Sequence, residues 1–242
     1  LALLLGAGGN RVALVDADLA LANLDLLMDC DVSINLSHVI AGTRKLREII
    51  VDLPGGVQFV PGASGLVKLA HLSDFQRMQL MKELMTLEAD NDVLIVDTAA
   101  GIGPDVLQIA QAADNVLLVT APEPPAITDA YAVIKLLAQR RYEGHISLLV
   151  NLTPTRREAR STYRRISTVA WEFLGVKVSE AGYVLSDPKV REAVRGREPF
   201  VVAYPRCPAS RCMAALATKL SAAENLGSGG ESFFRRVANW LA

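Results

Sequence analysis

Two acidic segments of this 242-residue chain have the residue types and spacing needed to handle phosphate and magnesium. In DVLIVDTAAGIG an apolar run ends in Asp97 and gives way to small residues that include Gly101 and Gly103. An acid at a strand tip can hold Mg2+ through water, and glycines let backbone amides approach a terminal phosphate. A carboxylate that simply caps a turn is the alternative. In VDADLALANLD, Asp16 and Asp18 stand two residues apart, hence on the same side of an extended backbone. One of them can face a metal or hold the site together while the other positions an attacking water. Taken by itself the pair reads as a cap on the next turn; with Asp97 on a second strand it becomes a metal and water site.

Such acids need strands to carry them. Apolar runs recur as RVALVDAD, VQFVPGAS, DVLIVDTAAG, NVLLVTAPE, ISLLVNLT and the shorter VKVSEAGYV. Uninterrupted Val, Leu and Ile suit strands buried on both faces, which implies a parallel sheet covered by helices. The segments between them, FQRMQLMKELMTLEAD, PDVLQIAQAA, ITDAYAVIKLLAQRR, EARSTYRRISTVAWEFLG and PASRCMAALATKLSAAEN, repeat apolar residues at spacings of three and four. The expected fold is α/β, a doubly wound, mostly parallel sheet flanked by helices. Ligands in such sheets sit beyond the carboxyl ends of the strands, where Gly62 to Gly65, Glu123 and Asn151 also fall.

A composition 51% hydrophobic supports one large domain, assigned here to residues 1–225. The net charge of −1 gives no global pull toward nucleic acid or anionic lipid, so charged partners must be met by local patches. Three cysteines, Cys30, Cys207 and Cys212, without a CxxC pair or zinc spacing, fit a reducing cytoplasm, and Cys207 and Cys212 read as packing. His38 and His71 stand apart from acids and cysteines and read as structural. The opening LALLLGAGG lacks the basic start of a signal peptide, and no run reaches the roughly 18 apolar residues of a spanning helix. It reads as the end of a helix capped by Gly6, Gly8 and Gly9, and something is expected upstream of it.

Residues 226–232 read as a flexible Gly/Ser tether and residues 233–242 as an amphipathic helix. Phe233, Val237, Trp240 and Leu241 share one face with Phe234 at its edge, while Arg235, Arg236 and Asn239 turn away. That pattern suits shallow insertion into an anionic bilayer; docking of the aromatics on the domain's own surface is the alternative. About a dozen residues are too few for a stable helix in water, and two copies on a dimer would hold a membrane better than one. Arg156, Arg157, Arg160, Arg164 and Arg165 form a second basic cluster, which with Glu158 interleaved reads as a solvated face rather than a nucleic-acid surface.

VDADLALANLDLLMD resembles switch I of the deviant-Walker ATPases and IVDTAAGIG their Walker B and switch II, and the resemblance extends in the expected order through VPGASG, VTAPEPPAITDAYAVIKLL and VNLT. Within them the chain is similar to the MinD/ParA group. PEPPAITDAYAVIK, AGYVLSD and YPRCPAS resemble its flagellar relative FlhG, also called FleN or YlxH. The resemblance implies ATP and Mg2+ as ligands and ATP hydrolysis as the activity. It gives Asp18 the role of orienting the hydrolytic water, Asp16 that of its partner near the magnesium, and Asp97 that of the Walker B acid. Gly101 matches the glycine beside the terminal phosphate, Asn151 the base-reading asparagine, and Glu123 and Asp129 the nucleotide-facing and partner-facing acids. A strand-ending turn accounts equally well for Asn151, as do solvated surface acids for Glu123 and Asp129.

The resemblance further implies a homodimer formed on ATP, a cytoplasmic protein held peripherally on the inner face of the cell membrane by its tail, and a regulatory partner such as the flagellar GTPase FlhF. A switch that sets the number or placement of flagella is the expected function. A non-hydrolysing scaffold and a ParA-type partitioning ATPase are the alternatives. The family's Gly-rich loop with two lysines is absent from these residues. LALLLGAGGNRVALVDAD reads like the end of the helix that follows that loop, so the loop is expected upstream. The polypeptide as it stands is expected neither to bind nucleotide tightly nor to turn it over.

Overall fold

The computed structural model describes residues 1–18, 22–62, 74–222 and 232–240, with the side chains of 74–79 and 238–240 left aside. Gly65, His71, Leu241, the side chain of Trp240 and all of the expected tether except Ser232 therefore lie outside the described residues. The chain divides into two compact units, Leu1–Ala100 with Leu220–Ala242, and Gly101–Lys219.

In the first unit, α1 (Ala2–Ala7) leads into β1 (Val12–Ala17), the short helices α2 (Leu24–Leu27), α3 (Leu36–Ile40) and α4 (Leu46–Ile49), then β2 (Val51–Leu53), β3 (Val57–Val60), α5 (Asp74–Asp90) and β4 (Val93–Thr98). The sheet order is β2-β3-β1-β4, with β1 parallel to β3 and β4 and β2 antiparallel to β3. All six residues of β1 are buried, as its unbroken apolar run requires of a strand covered on both faces. Leu80, Leu84 and Leu87 of α5, Phe59 of β3 and Leu5 of α1 are buried with it.

The sequence does not announce β2, whose three residues are too few for a period and include the exposed Asp52. It exists because Gly55 and Gly56, with φ of 80° and 75°, turn the chain back into β3. Gly6 makes room for this turn, since a Cβ there would lie 2.6 Å from the Gly55 carbonyl oxygen. The helices α2, α3 and α4 were likewise invisible to periodicity; α3 is set by its cap, the Asn35 side chain accepting from Ser37 N at 3.1 Å. At the amino ends of β1 and β4, Arg11 and Asp92 grip one another. Arg11 N donates to Asp92 Oδ2 at 2.8 Å, its guanidinium to Asp92 Oδ1 at 2.6 Å, and Asp92 N returns a bond to Arg11 O at 2.9 Å.

The second unit holds α6 (Pro104–Ala112), β5 (Asn115–Thr120), α7 (Pro124–Gln139), β6 (His145–Thr153), α8 (Arg156–Leu174), β7 (Val178–Leu185), α9 (Pro188–Arg195), α10 (Phe200–Ala203) and most of α11 (Pro208–Ser221). Its strands run parallel in the order β5-β6-β7. Ile134 and Leu137 of α7, Ile146 and Leu148 of β6 and Ile166 of α8 form its core. Helix α7 starts at Pro124, ahead of the periodic segment, because a proline at the first helical position lacks only an amide that would be unpaired anyway. Strand β7 runs for eight residues and is not short.

The last described element, α12 (Phe233–Trp240), packs against α5 in the first unit. The expected α/β architecture, mostly parallel strands flanked by helices, is the one observed, and the structure adds an antiparallel edge at β2.

Candidate functional site

Asp16 and Asp97 are Cα partners in the parallel β1–β4 ladder, so both carboxylates lie at the carboxyl end of neighbouring strands, about 5 Å apart in backbone. Asp16 is 2% exposed. Its Oδ1 accepts from Asp18 N at 3.1 Å and its Oδ2 from Leu24 N at 3.3 Å, which anchors both ends of the loop leaving β1. Burial pushes the Asp16 carboxyl above its ordinary range, and the hydrogen bonds from the Asp18 and Leu24 amides oppose that rise. Asp97 reaches solvent, yet partial desolvation at the strand tip and then the charges of Asp16 and Asp18 raise its pKa too. Its side chain makes no hydrogen bond among the described residues.

This donor set fits a magnesium ion. The carboxylates are hard oxygen ligands, and a divalent charge would relieve the repulsion that raises the pKa of Asp97. No group of three or more His, Cys, Asp or Glu side chains forms a metal cage among the described residues.

Gly62, just past β3, lies against the same peptide. A Cβ there would stand 2.9 Å from the Asp16 carbonyl carbon, so the exit of β3 and residue 16 pack backbone to backbone. Leu36 N adds a bond to Pro61 O at 3.1 Å, which ties the start of α3 to this exit. Sequence placed Gly62 at a strand end without its contact.

The other candidates belong to the second unit. Gly101 has φ of 109°, a conformation that favours glycine, and Gly103 is the N-cap of α6. Glu123 is the exposed N-cap of α7 and makes no side-chain cap bond; Asp129 is exposed on the same helix. Asn151 lies near the end of β6, where its Oδ1 accepts from Leu152 N at 2.8 Å. Leu152 itself has φ of 54° within a register irregularity of β6, a strained setting that residue type gave no sign of. The structure thus brings Asp16, Asp18 and Asp97 together.

The tail differs from its expected free form. The rings of Phe233 and Phe234 are buried, edge to face with centroids 5.1 Å apart. Glu88 of α5 holds the start of α12: Ser232 Oγ donates to Oε2 at 2.6 Å, Phe233 N to Oε1 at 2.8 Å and Phe234 N to Oε2 at 3.4 Å. A carboxylate at a helix amino terminus satisfies orphan amides and meets the positive end of the dipole. Ser232, expected as the last tether residue, is instead fixed at the head of the helix, its carbonyl accepting from Arg236 N at 3.0 Å. Val237 is half-buried. Two adjacent phenylalanines gain more by covering apolar surface of their own unit than by facing water.

The remaining expectations are structural. His38 Nδ1 accepts from Asn35 N at 3.3 Å within the α3 cap, and all three cysteines are free thiols, Cys207 Sγ lying 3.2 Å from Ser210 Oγ. No helix among the described residues is long and apolar enough to cross a membrane.

No family model matches the chain. It is 40% identical to the antiactivator FleN of Pseudomonas aeruginosa over 220 residues, covering 91% of this chain and 79% of that protein. With the flagellum site-determining protein YlxH of Helicobacter pylori it shares 31% identity over 240 residues, covering 96% and 81%. Among solved structures, the Aquifex aeolicus MinC:MinD complex matches with a TM-score of 0.72 at 22% identity, covering 96% of this chain and 89% of that one. The Pyrococcus horikoshii MinD complexed with Mg-ADP matches with a TM-score of 0.70 at 21% identity, over 94% and 90%. At such identities the two structures speak for the fold, while the two relatives decide the lineage: the chain belongs to the FleN/YlxH branch of the MinD/ParA family of P-loop ATPases.

Proposed function

We propose that the protein is an ATP-dependent, dimerising membrane switch that hydrolyses ATP to control the number or placement of flagella. The name of YlxH, a flagellum site-determining protein, supports the cellular role, and the Mg-ADP of the Pyrococcus protein supports the ligands. The observation that carries the reading is the in-register pair Asp16 and Asp97 with Asp18 tied to it by a backbone bond.

In this reading Asp97 would hold Mg2+, which when bound would supply charge neutralisation for phosphate oxygens. Asp16 positions rather than reacts: its oxygens pin the Asp18 and Leu24 amides and so fix the loop that aims Asp18 at the attacking water. Gly101 lets the backbone approach the terminal phosphate. Asn151 offers its amide to the base, and Glu123 at the head of α7 faces the nucleotide. A second copy of the chain completes the site, and a regulatory protein such as FlhF sets the rate of turnover.

The docked α12 is the form that leaves the membrane. Lipid competes with the first unit for Phe233, Phe234 and Val237, while Trp240 and Leu241 add to the membrane hold, and a dimer carries two such helices, whose combined hold exceeds that of one.

ATP turnover by the full-length protein tests the site. Asp18→Ala should keep ATP binding and dimerisation while turnover falls about a hundredfold, the usual worth of a positioned proton acceptor. Unchanged turnover would overthrow the assignment.

A further inference from the structure

Helices α9, α10 and α11 of the second unit present a basic surface set with two aliphatic side chains, and we propose that it binds the headgroups of an anionic bilayer, apart from the tail. The proposal rests on the membrane reading above but uses no residue of α12. The three helices are locked together. Asp187 caps α9 by accepting from Lys189 N at 2.9 Å, and its other oxygen accepts from Ala209 N of α11 at 3.3 Å. Ser210 Oγ of α11 donates to the Tyr204 carbonyl, just past α10, at 2.7 Å. The Tyr204 hydroxyl donates to Glu192 Oε2 of α9 at 3.2 Å, and Lys189 Nζ stands 4.9 Å from the centre of its ring.

Between residues 187 and 211 stand six cations, Lys189, Arg191, Arg195, Arg197, Arg206 and Arg211, against three acids, in a chain whose net charge is −1. Two of those acids are engaged locally, Asp187 as a cap and Glu192 in an ion pair with Lys189 at 2.6 Å. The five arginines are exposed, and none forms an ion pair among the described residues. Arg191 and Arg195, four residues apart, share one face of α9, a like-charge pairing that weakens a helix by itself and is relieved by an anion in front of it. Arg197 has φ of 54°, a conformation that favours glycine, directly after Gly196. Bonds from Arg197 N to Val194 O at 3.2 Å and from Glu198 N to Ala193 O at 3.1 Å hold it there, so the fold keeps an arginine at a strained bend. Val194 of α9 and Val202 of α10 are 51% and 45% exposed.

Charge and residue type identify the occupant. Guanidinium forks take phosphate oxygens two at a time, and a cluster of roughly four to eight basic side chains on an amphipathic surface is the pattern that holds anionic lipid. The arginines come from α9, the bend after it and the start of α11, which share no helical period. Such a spread suits a broad anionic plane better than the regular ladder of a partner helix. Valines among the cations enter the boundary between headgroups and acyl chains. A nucleic-acid duplex meets the arginines through its phosphates but leaves both valines in water. Protein partners favour aromatic anchors, and Tyr204 is already held by Lys189 and Glu192. A bilayer uses the arginines and the valines together.

The test sediments the full-length protein, with ATP, on vesicles of phosphatidylcholine alone or with one third phosphatidylglycerol. Expected are binding to the anionic vesicles that weakens with salt, and a loss of about tenfold in affinity for Arg195→Glu with Arg197→Glu. Arg195→Lys with Arg197→Lys should bind like the parent protein, since a phosphate accepts either cation. Val194→Ser with Val202→Ser should bind more weakly while keeping the parent's dependence on salt. Trp240→Glu with Leu241→Glu separates this surface from the tail. If that variant loses binding and the arginine reversal does not, the basic surface is no lipid site and the tail reading stands. If the reversal weakens binding and the tail variant binds like the parent, the surface stands and the tail reading falls. Absence of binding to anionic vesicles, lysine variants as weak as the glutamate ones, or tighter binding of random duplex DNA governed by the same arginines would each overturn the proposal.

Discussion

Asp16 and Asp97 face one another across two parallel strands with only one of them hydrogen-bonded among the described residues: both Asp16 oxygens are engaged by backbone amides, while Asp97 meets its neighbours through charge. The two acids of one pair thus stand differently, one building a loop and the other reaching solvent.

Stability should rise with Asp97→Asn. The folded-state pKa of Asp97 is raised, so the folded protein binds a proton more readily than the unfolded chain, and stability falls as pH climbs from the ordinary aspartate range through the raised value. Melting curves at neutral pH should show a higher Tm for the variant, and the gain should shrink to nothing as pH is lowered below about 4. A gain that persists in acid would locate its cause elsewhere.

Gly62→Ala should destabilise by about 1–3 kcal/mol, the usual cost of forcing an extra carbon into a packed place, because the atoms it meets are backbone and cannot swing aside. Urea unfolding measures it. The same substitution at Gly103, where a Cβ meets nothing within 4 Å, should cost far less.

Glu88→Ala should loosen the tail by about 1 kcal/mol, as loss of a helix cap does. Exchange of the α12 amides should quicken, and sedimentation with anionic vesicles should pull down more of the variant than of the parent protein. Equal sedimentation would mean that docking and lipid do not compete.

The Arg11–Asp92 clamp depends on acid in the opposite sense to Asp97. The guanidinium bond holds the Asp92 carboxyl down at about 2, so its contribution is whole above the ordinary aspartate pKa of about 4 and is lost as pH falls through 2. Asp92→Asn should therefore lower the Tm at neutral pH and match the parent protein in strong acid.

Much of this was legible beforehand. The unbroken run of β1 announced a covered strand, and the acids at its tip and at that of β4 announced chemistry, because both signals lie within a few residues. Glu88 could not be read in the same way, as it meets Phe233 across 145 residues and is one acid among many on the solvent side of a sequence pattern. Nor could the place of Asp16 as a loop anchor be seen, since it depends on where the Leu24 amide arrives after the chain turns. The tail's pattern pointed to lipid with docking on protein as the alternative, because both offer the same apolar surroundings to two phenyl rings.

Strands β1 and β4 form a pair of tongs. Their handles are riveted by Arg11 and Asp92, and their tips carry like charges at Asp16 and Asp97. Any change of charge at the tips must then be taken up as a small spreading or closing there, because slippage of one strand past the other would first have to break the rivet.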